Sequence, residues 1–195
     1  MRTLRSFGLI VIAGVAALAL FQSSASALST QLCTNLFGGC EEPGTVHFVS
    51  SKVEWLNSLI NIDCLGGLIT GTVLKGLALS SPVRIHVALA GLTYSGCNAL
   101  CTVKVLKGGE VTILRKFTEL GEVNLSGFQV NLKCLSFINC TYNMAVLGHG
   151  LGTPEGKLHI TFSGSSMKSE SGGLCPETTL LDALFESLTP IYIGA

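Results

Sequence analysis

The stretch FQVNLKCLSFINCTY, Phe128 to Tyr142, decides the fold class. Phe128, Val130, Leu132 and Cys134 alternate with Gln129, Asn131 and Lys133. A period of two marks a strand with one face in a core and the other in water. Five residues separate Cys134 from Cys140, after which Cys140, Tyr142, Met144 and Val146 resume the inward positions. The segment reads as a hairpin with a cysteine on the same face of each arm. Cross-strand neighbours approach closely enough for a disulfide, so Cys134 and Cys140 are expected to staple it.

The same alternation recurs outward from this hairpin. Val46 and Phe48 share a face in Thr45–Ser50, and Ile60, Ile62 and Cys64 share one in Ser58–Cys64. Leu68 to Ala78 reads as a strand with a bulge or bend at Gly71. Val83 to Tyr94 reads as the longest strand, bent at Gly91, with His86 outward. Thr102–Leu106 and Glu110–Phe117 flank Lys107-Gly108-Gly109, a hairpin turn by composition. Leu158, Ile160 and Phe162 form one more inward stripe, and Ser163–Gly173 is a polar loop. Trp55, the single tryptophan, falls in a connection and is expected to plug the sheet rather than stack on a ligand. After Pro176 the pattern is ambiguous: Leu180, Leu181, Leu184 and Leu188 fit a helix, and a helical turn followed by a strand fits equally. The fold class expected is all-β, an antiparallel β-sandwich or closed-up barrel-like sheet stapled by disulfides.

Arg2 and Arg5, an apolar run from Phe7 to Phe21 and Ala25-Ser26-Ala27 describe a cleaved signal peptide over 1–27, with Leu28 the first mature residue. The apolar run is too short for a good spanning helix. A single secreted β domain, 28–195, then remains, with ten basic and twelve acidic residues and a net charge of −2. Such a chain has no electrostatic footprint for nucleic acid or an anionic membrane, and no membrane span after processing. The expected location is extracellular or associated with the cell envelope, with an envelope component or an extracellular ligand as the partner class.

All eight cysteines lie in the mature part, and an even number in an exported chain implies a disulfide framework. Cys33 with Cys40 closes a short loop, and Cys134 with Cys140 staples the hairpin. Cys64, Cys97, Cys101 and Cys175 allow three pairings, of which Cys64–Cys97 with Cys101–Cys175 is preferred. A zinc site has little support, because no C-x-x-C occurs and the histidines are not spaced with the cysteines.

No catalytic, cofactor-binding or metal-binding residue is assigned. Gly148-His149-Gly150-Leu151-Gly152 has histidine where a nucleophile elbow needs serine, and reads as a flexible turn. His47, His86, His149 and His159 are dispersed, and a site built from His86 and His159 requires adjacent strands. Glu41-Glu42 beside Pro43 reads as a charged turn. The leading reading is an exported, disulfide-bonded β-sandwich with a non-catalytic binding or envelope-associated role. A secreted hydrolase is the alternative, which two close carboxylates or a His–carboxylate pair in a cleft would favour. A small outer-membrane barrel comes third, with too few aromatic residues for two girdles and more cysteines than that fold needs.

Ile62-Asp63-Cys64, Gly71-Thr72-Val73, Leu92 to Cys97, Cys140-Thr141-Tyr142, Cys175-Pro176 and Thr189 to Ile193 together resemble a group of secreted, cysteine-containing β-rich proteins of soil actinobacteria. The resemblance implies export and a β fold, and tips Ala183 to Ser187 toward strand. Leu181 and Leu184 stand where that group usually has tryptophan and threonine. It implies no particular activity.

Overall fold

A computed structural model describes residues 30–35, 40–74, 82–98, 100–117, 120–135, 137–153, 156–170 and 174–194. The expected signal peptide and its cleavage point at Ala27 and Leu28 lie outside them. In chain order the strands are β1 (Gln31–Cys33), β2 (Thr45–Ser50), β3 (Val53–Leu56), β4 (Asn61–Leu74), β5 (Val83–Val87), β6 (Leu92–Cys97) and β7 (Cys101–Lys107). There follow β8 (Gly109–Phe117), β9 (Leu120–Cys134), β10 (Ile138–Gly152), β11 (Leu158–Ser169), β12 (Thr178–Ser187) and β13 (Tyr192–Gly194).

Eleven of these strands form one antiparallel sheet, which closes because β9 and β10 pair at its two ends. Three wall positions are each filled by two strands in succession. β2 and β3 both pair with β4 on one side and with β12, the other seam strand. β5 and β6 both pair with the far edge of β4, and β7 and β8 both pair with β9. Eleven strands therefore make eight positions, arranged around the barrel in sequence order. Of the two arrangements expected from the sequence, the closed barrel is the one formed.

Strand breaks fall where the wall must turn. Gly127, at φ +77°, is the extra residue between the pairs Met144–Phe128 and Ala145–Ser126, a bulge that kinks β9. Opposite it lie Gly108 and Gly109, and a Cβ on Gly109 would stand 2.4 Å from the Ser126 carbonyl oxygen. The segment 107–109 is therefore an irregularity in one continuous wall and not the hairpin turn its composition suggests, because β7 and β8 share the partner β9. In the same way, the stretch Val83–Tyr94 is interrupted by a 3-10 turn, Leu89–Gly91, which changes its register against β4. No bulge occurs at Gly71, whose pairing with Val46 lies inside an unbroken ladder, and 75–78 lies outside the described residues.

The remaining differences share a cause: composition suggested loops where neighbouring strands hold the backbone extended. Gly148–Gly152 lies within β10 between β9 and β11, and Ser163–Ser169 continues β11 past a bulge near Gly164. Residues 178–187 are strand, with Thr179, Leu181, Ala183, Phe185 and Ser187 inward. Trp55 sits on β3 and is fully buried, its ring meeting that of Tyr94 edge-on at 5.3 Å.

The inward side chains fill the barrel. Phe48, Trp55, Phe128, Tyr142, Phe162 and Phe185 are among its largest fully buried members, as suits an interior of eight strands just wide enough for side chains. The outward faces carry ion pairs, Arg84–Glu110, Lys116–Glu122 and Lys157–Glu186 among them. An outer-membrane barrel has the reverse polarity, apolar toward lipid and polar within. Among the described residues no helix is long and apolar enough to cross a membrane.

Four disulfides join all eight cysteines: Cys33–Cys40, Cys64–Cys97, Cys101–Cys134 and Cys140–Cys175. The first two match the pairing preferred from the sequence. The expected bridges Cys134–Cys140 and Cys101–Cys175 are both replaced, and the reason is register. β9 ends at Cys134 and β10 begins at Ile138, which pair directly, so Cys140 faces Leu132 and not Cys134. Across the other edge of β9, Cys134 directly opposes Cys101, with Cα atoms 4.1 Å apart.

The two ends of the barrel are unlike. One receives residues 57–60, 98, 100, 135, 137 and 174–176, and three of the four disulfides lie toward it. Across the other lies a separate two-stranded ribbon, β1 with β13. There Leu32, Ile191 and Ile193 are buried, and Ile193 packs over the paired glycines Gly121 and Gly150.

Candidate functional site

With the interior filled and one end capped by the ribbon, the open end is where the barrel offers a concavity. A cleft of about 530 Å³ lies between its turns, lined by Leu59, Ile60, Leu100, Leu135, Phe137 and Leu174 with the Cys101–Cys134 bridge beside them. Leu59, Leu100, Leu135, Phe137 and Leu174 remain 45 to 69 % exposed. Contiguous apolar exposure of this kind marks an interaction site more often than isolated surface leucines do.

Each turn is held by local bonds. The Asn57 side-chain oxygen accepts from the backbone amides of Leu59 and Ile60, both at 2.9 Å. Asn98 donates from its side chain to the Asn61 carbonyl at 2.9 Å, while its own carbonyl accepts from the Cys101 amide. The Leu135 amide donates to the Leu100 carbonyl at 2.8 Å, joining two turns that the Cys101–Cys134 bridge also joins. Leu135 has φ +55°, the left-handed conformation that favours glycine. Non-glycine residues in such conformations cluster at functional positions.

Six of the eight cysteines named from the sequence therefore lie toward this end, but the leucines and Phe137 that make the cleft were not among the candidates. Their signal was compositional: Asn57-Ser-Leu-Ile, Asn98-Ala-Leu and Leu135-Ser-Phe place large apolar side chains in turns, where polar residues are the rule.

The polar groups form scattered surface pairs. His86 lies on β5 and His159 on β11, which are not neighbours in the sheet, so these two histidines build no site. His159 Nε2 lies 3.3 Å from Glu186, which also pairs with Lys157. Hydrogen bonding to Lys157 holds the Glu186 carboxyl below its ordinary range. His47 Nδ1 bonds the Thr70 hydroxyl at 3.0 Å, and His149 is exposed on β10. None of these pairs lines the apolar cleft.

One row of acids invites a catalytic reading. Asp182, Glu54 and Asp63 occupy directly opposed positions on β12, β3 and β4, beside a shallow cleft of about 180 Å³. Lys52 Nζ lies 2.8 Å from Glu54 and, mainly by this bond, holds the Glu54 carboxyl below its ordinary value. Glu54 is thereby kept as a paired carboxylate, whereas a general acid needs its pKa raised. Among the described residues no group of three or more His, Cys, Asp or Glu side chains is placed to hold a metal ion.

Fold and site together define a class: a disulfide-stapled, eight-position up-and-down barrel with a filled interior and an apolar cleft at one end. No protein-family model, curated protein or solved structure matches the chain.

Proposed function

We propose that this is an exported, non-catalytic binding protein of the extracellular space or cell envelope, which binds through the cleft end of the barrel. The observation that carries the reading is the cleft itself: about 530 Å³, mainly apolar in lining and framed by disulfide-linked strands. That volume lies within the range of small-molecule sites, which are mostly apolar. Bridges and internal turn bonds preorganise the end, so binding loses little to loop ordering. Four disulfides suit an oxidising compartment, and the leader-like residues 1–27 supply the route.

Titration with an uncharged apolar fluorophore tests the site. Emission should rise and saturate with the wild type, and Leu100→Glu should abolish the rise without changing the melting temperature. Equal responses from both proteins would overturn the assignment. Export is tested separately by N-terminal sequencing of secreted material, which should begin at Leu28; a start at Met1 would overturn processing at that point.

A further inference from the structure

We infer that the cleft end inserts shallowly into a lipid surface, and that the surface is a zwitterionic phospholipid bilayer. This rests on the preceding reading that the cleft end is the binding end, and names its partner.

Composition separates lipid from protein as the occupant. The exposed tips are Leu59, Leu100, Leu135, Phe137 and Leu174, with Ile60 behind them. Protein interfaces concentrate energy in tryptophan, tyrosine and arginine and are poor in leucine at their hot spots. None of those three types stands among these residues. Leucine, isoleucine and phenylalanine are the side chains that partition most favourably into hydrocarbon.

Charge points the same way. Among the described residues of the four turns, 57–60, 98, 100, 135, 137 and 174–176, none is charged. Both signs appear on the adjoining strand ends: Lys133 on β9 and Lys168 on β11, with Glu170 and Glu177 after it in the chain. An uncharged tip above a mixed collar complements headgroups that themselves carry both signs. It offers no basic cluster to an anionic surface.

The turns go part of the way to a further requirement of a low-dielectric environment, where an unpaired N–H is costly. The amides of Leu59, Ile60, Leu135 and Cys101 all donate within the protein, to Asn57 Oδ1, the Leu100 carbonyl and the Asn98 carbonyl. The tips can leave water without stranding these donors. Irregular turns do not enter the hydrocarbon centre, so the depth is that of interfacial anchors, roughly 5–10 Å.

Co-sedimentation of the purified protein with phosphatidylcholine vesicles provides the test. The wild type should be retained, with little change between about 0.05 and 0.5 M NaCl, since screening acts on charge and not on apolar burial. Leu100→Ser and Phe137→Ser should each weaken partitioning by about tenfold, while Leu151→Ser and Leu184→Ser, on the barrel wall, should not. A tryptophan reporter, Phe137→Trp, should shift its emission to the blue on vesicles and be quenched by lipid brominated in its acyl chains. Trp55 supplies a constant buried background.

Failure to sediment while the apolar fluorophore still binds would overturn membrane insertion and leave the cleft as a site for a soluble ligand. Failure of both would overturn both readings. Retention that needs anionic lipid, or survives loss of the tips, would also overturn the insertion. So would a wild-type dimer that the tip substitutions dissociate without any vesicle retention, since the occupant would then be a second copy.

Discussion

Leu135 holds a left-handed backbone and still presents a half-exposed apolar side chain at the cleft. Glycine would relieve the conformational cost, roughly 1–2 kcal/mol for an L-residue, but would lose similar free energy through unfolded-state entropy. Leu135→Gly is therefore expected to unfold within about 1 kcal/mol of the wild type while binding the apolar fluorophore more weakly. Urea unfolding and the titration together check this; a loss well above that figure would show that Leu135 serves packing alone. Arg84 and Glu110 give a residue-scale prediction of a different kind. Arg84 grips the carboxylate with two bonds, 2.8 and 2.6 Å long, and chiefly through them holds its pKa below the ordinary carboxyl value. A group depressed on folding stabilises above its unfolded pKa and loses that contribution as pH falls through the depressed value. Glu110→Gln should therefore flatten part of the acid limb of a melting-temperature profile. At neutral pH it should cost less than about 1 kcal/mol, since half of the Arg84 side chain is in water. An unchanged acid limb would show that the pair adds nothing.

At the scale of the element, the bridges differ in what they constrain. Cys140–Cys175 spans 35 residues and Cys33–Cys40 only 7. Chain-entropy reasoning assigns the longer link about 4 kcal/mol and the shorter about 2. The double replacement of Cys140 and Cys175 by alanine should accordingly lower stability more than the same change at Cys33 and Cys40. Non-reducing peptide maps should join Cys101 to Cys134, and a Cys134–Cys140 fragment would refute the register of the β9–β10 hairpin. That hairpin also shows how far the sequence can be read. Alternation is local, and it assigned the inward faces of Phe128, Val130, Leu132 and Cys134 and of Cys140, Tyr142, Met144 and Val146 as the structure has them. The turn length, by contrast, decides register, and a partner in another strand decides a bridge. Nothing in residues 128–146 carries the position of Cys101. The same limit applies at Lys107-Gly108-Gly109, where two glycines that elsewhere make a turn here admit a close neighbour. The cleft was hidden for a related reason: single leucines in four distant turns become a patch only when the barrel brings one end of every hairpin together.

For the whole molecule, closure makes the core common to every strand. Trp55 is fully buried between the Ile62 and Leu181 positions of its neighbours. Trp55→Ala should cost about 3–5 kcal/mol, a large part of the roughly 5–15 kcal/mol typical of a domain. Urea unfolding should show one transition with a much lower midpoint; a second, separate transition would mean that the barrel does not unfold as a unit. The pairing order has its own consequence in time. Successive hairpins join residues near in sequence, whereas the seam of β12 with β2 and β3 joins residues more than a hundred apart, with Leu180 facing Leu56 and Glu186 facing Val49. Loop closure makes such distant pairings slow to form. A chain emerging from its N-terminus during synthesis can zip hairpins as they appear, yet has no partner for the free edge of β2 and β3 until β12 has followed. The barrel thus stays unlatched while it is being made and locks only when nearly all of the polypeptide is available.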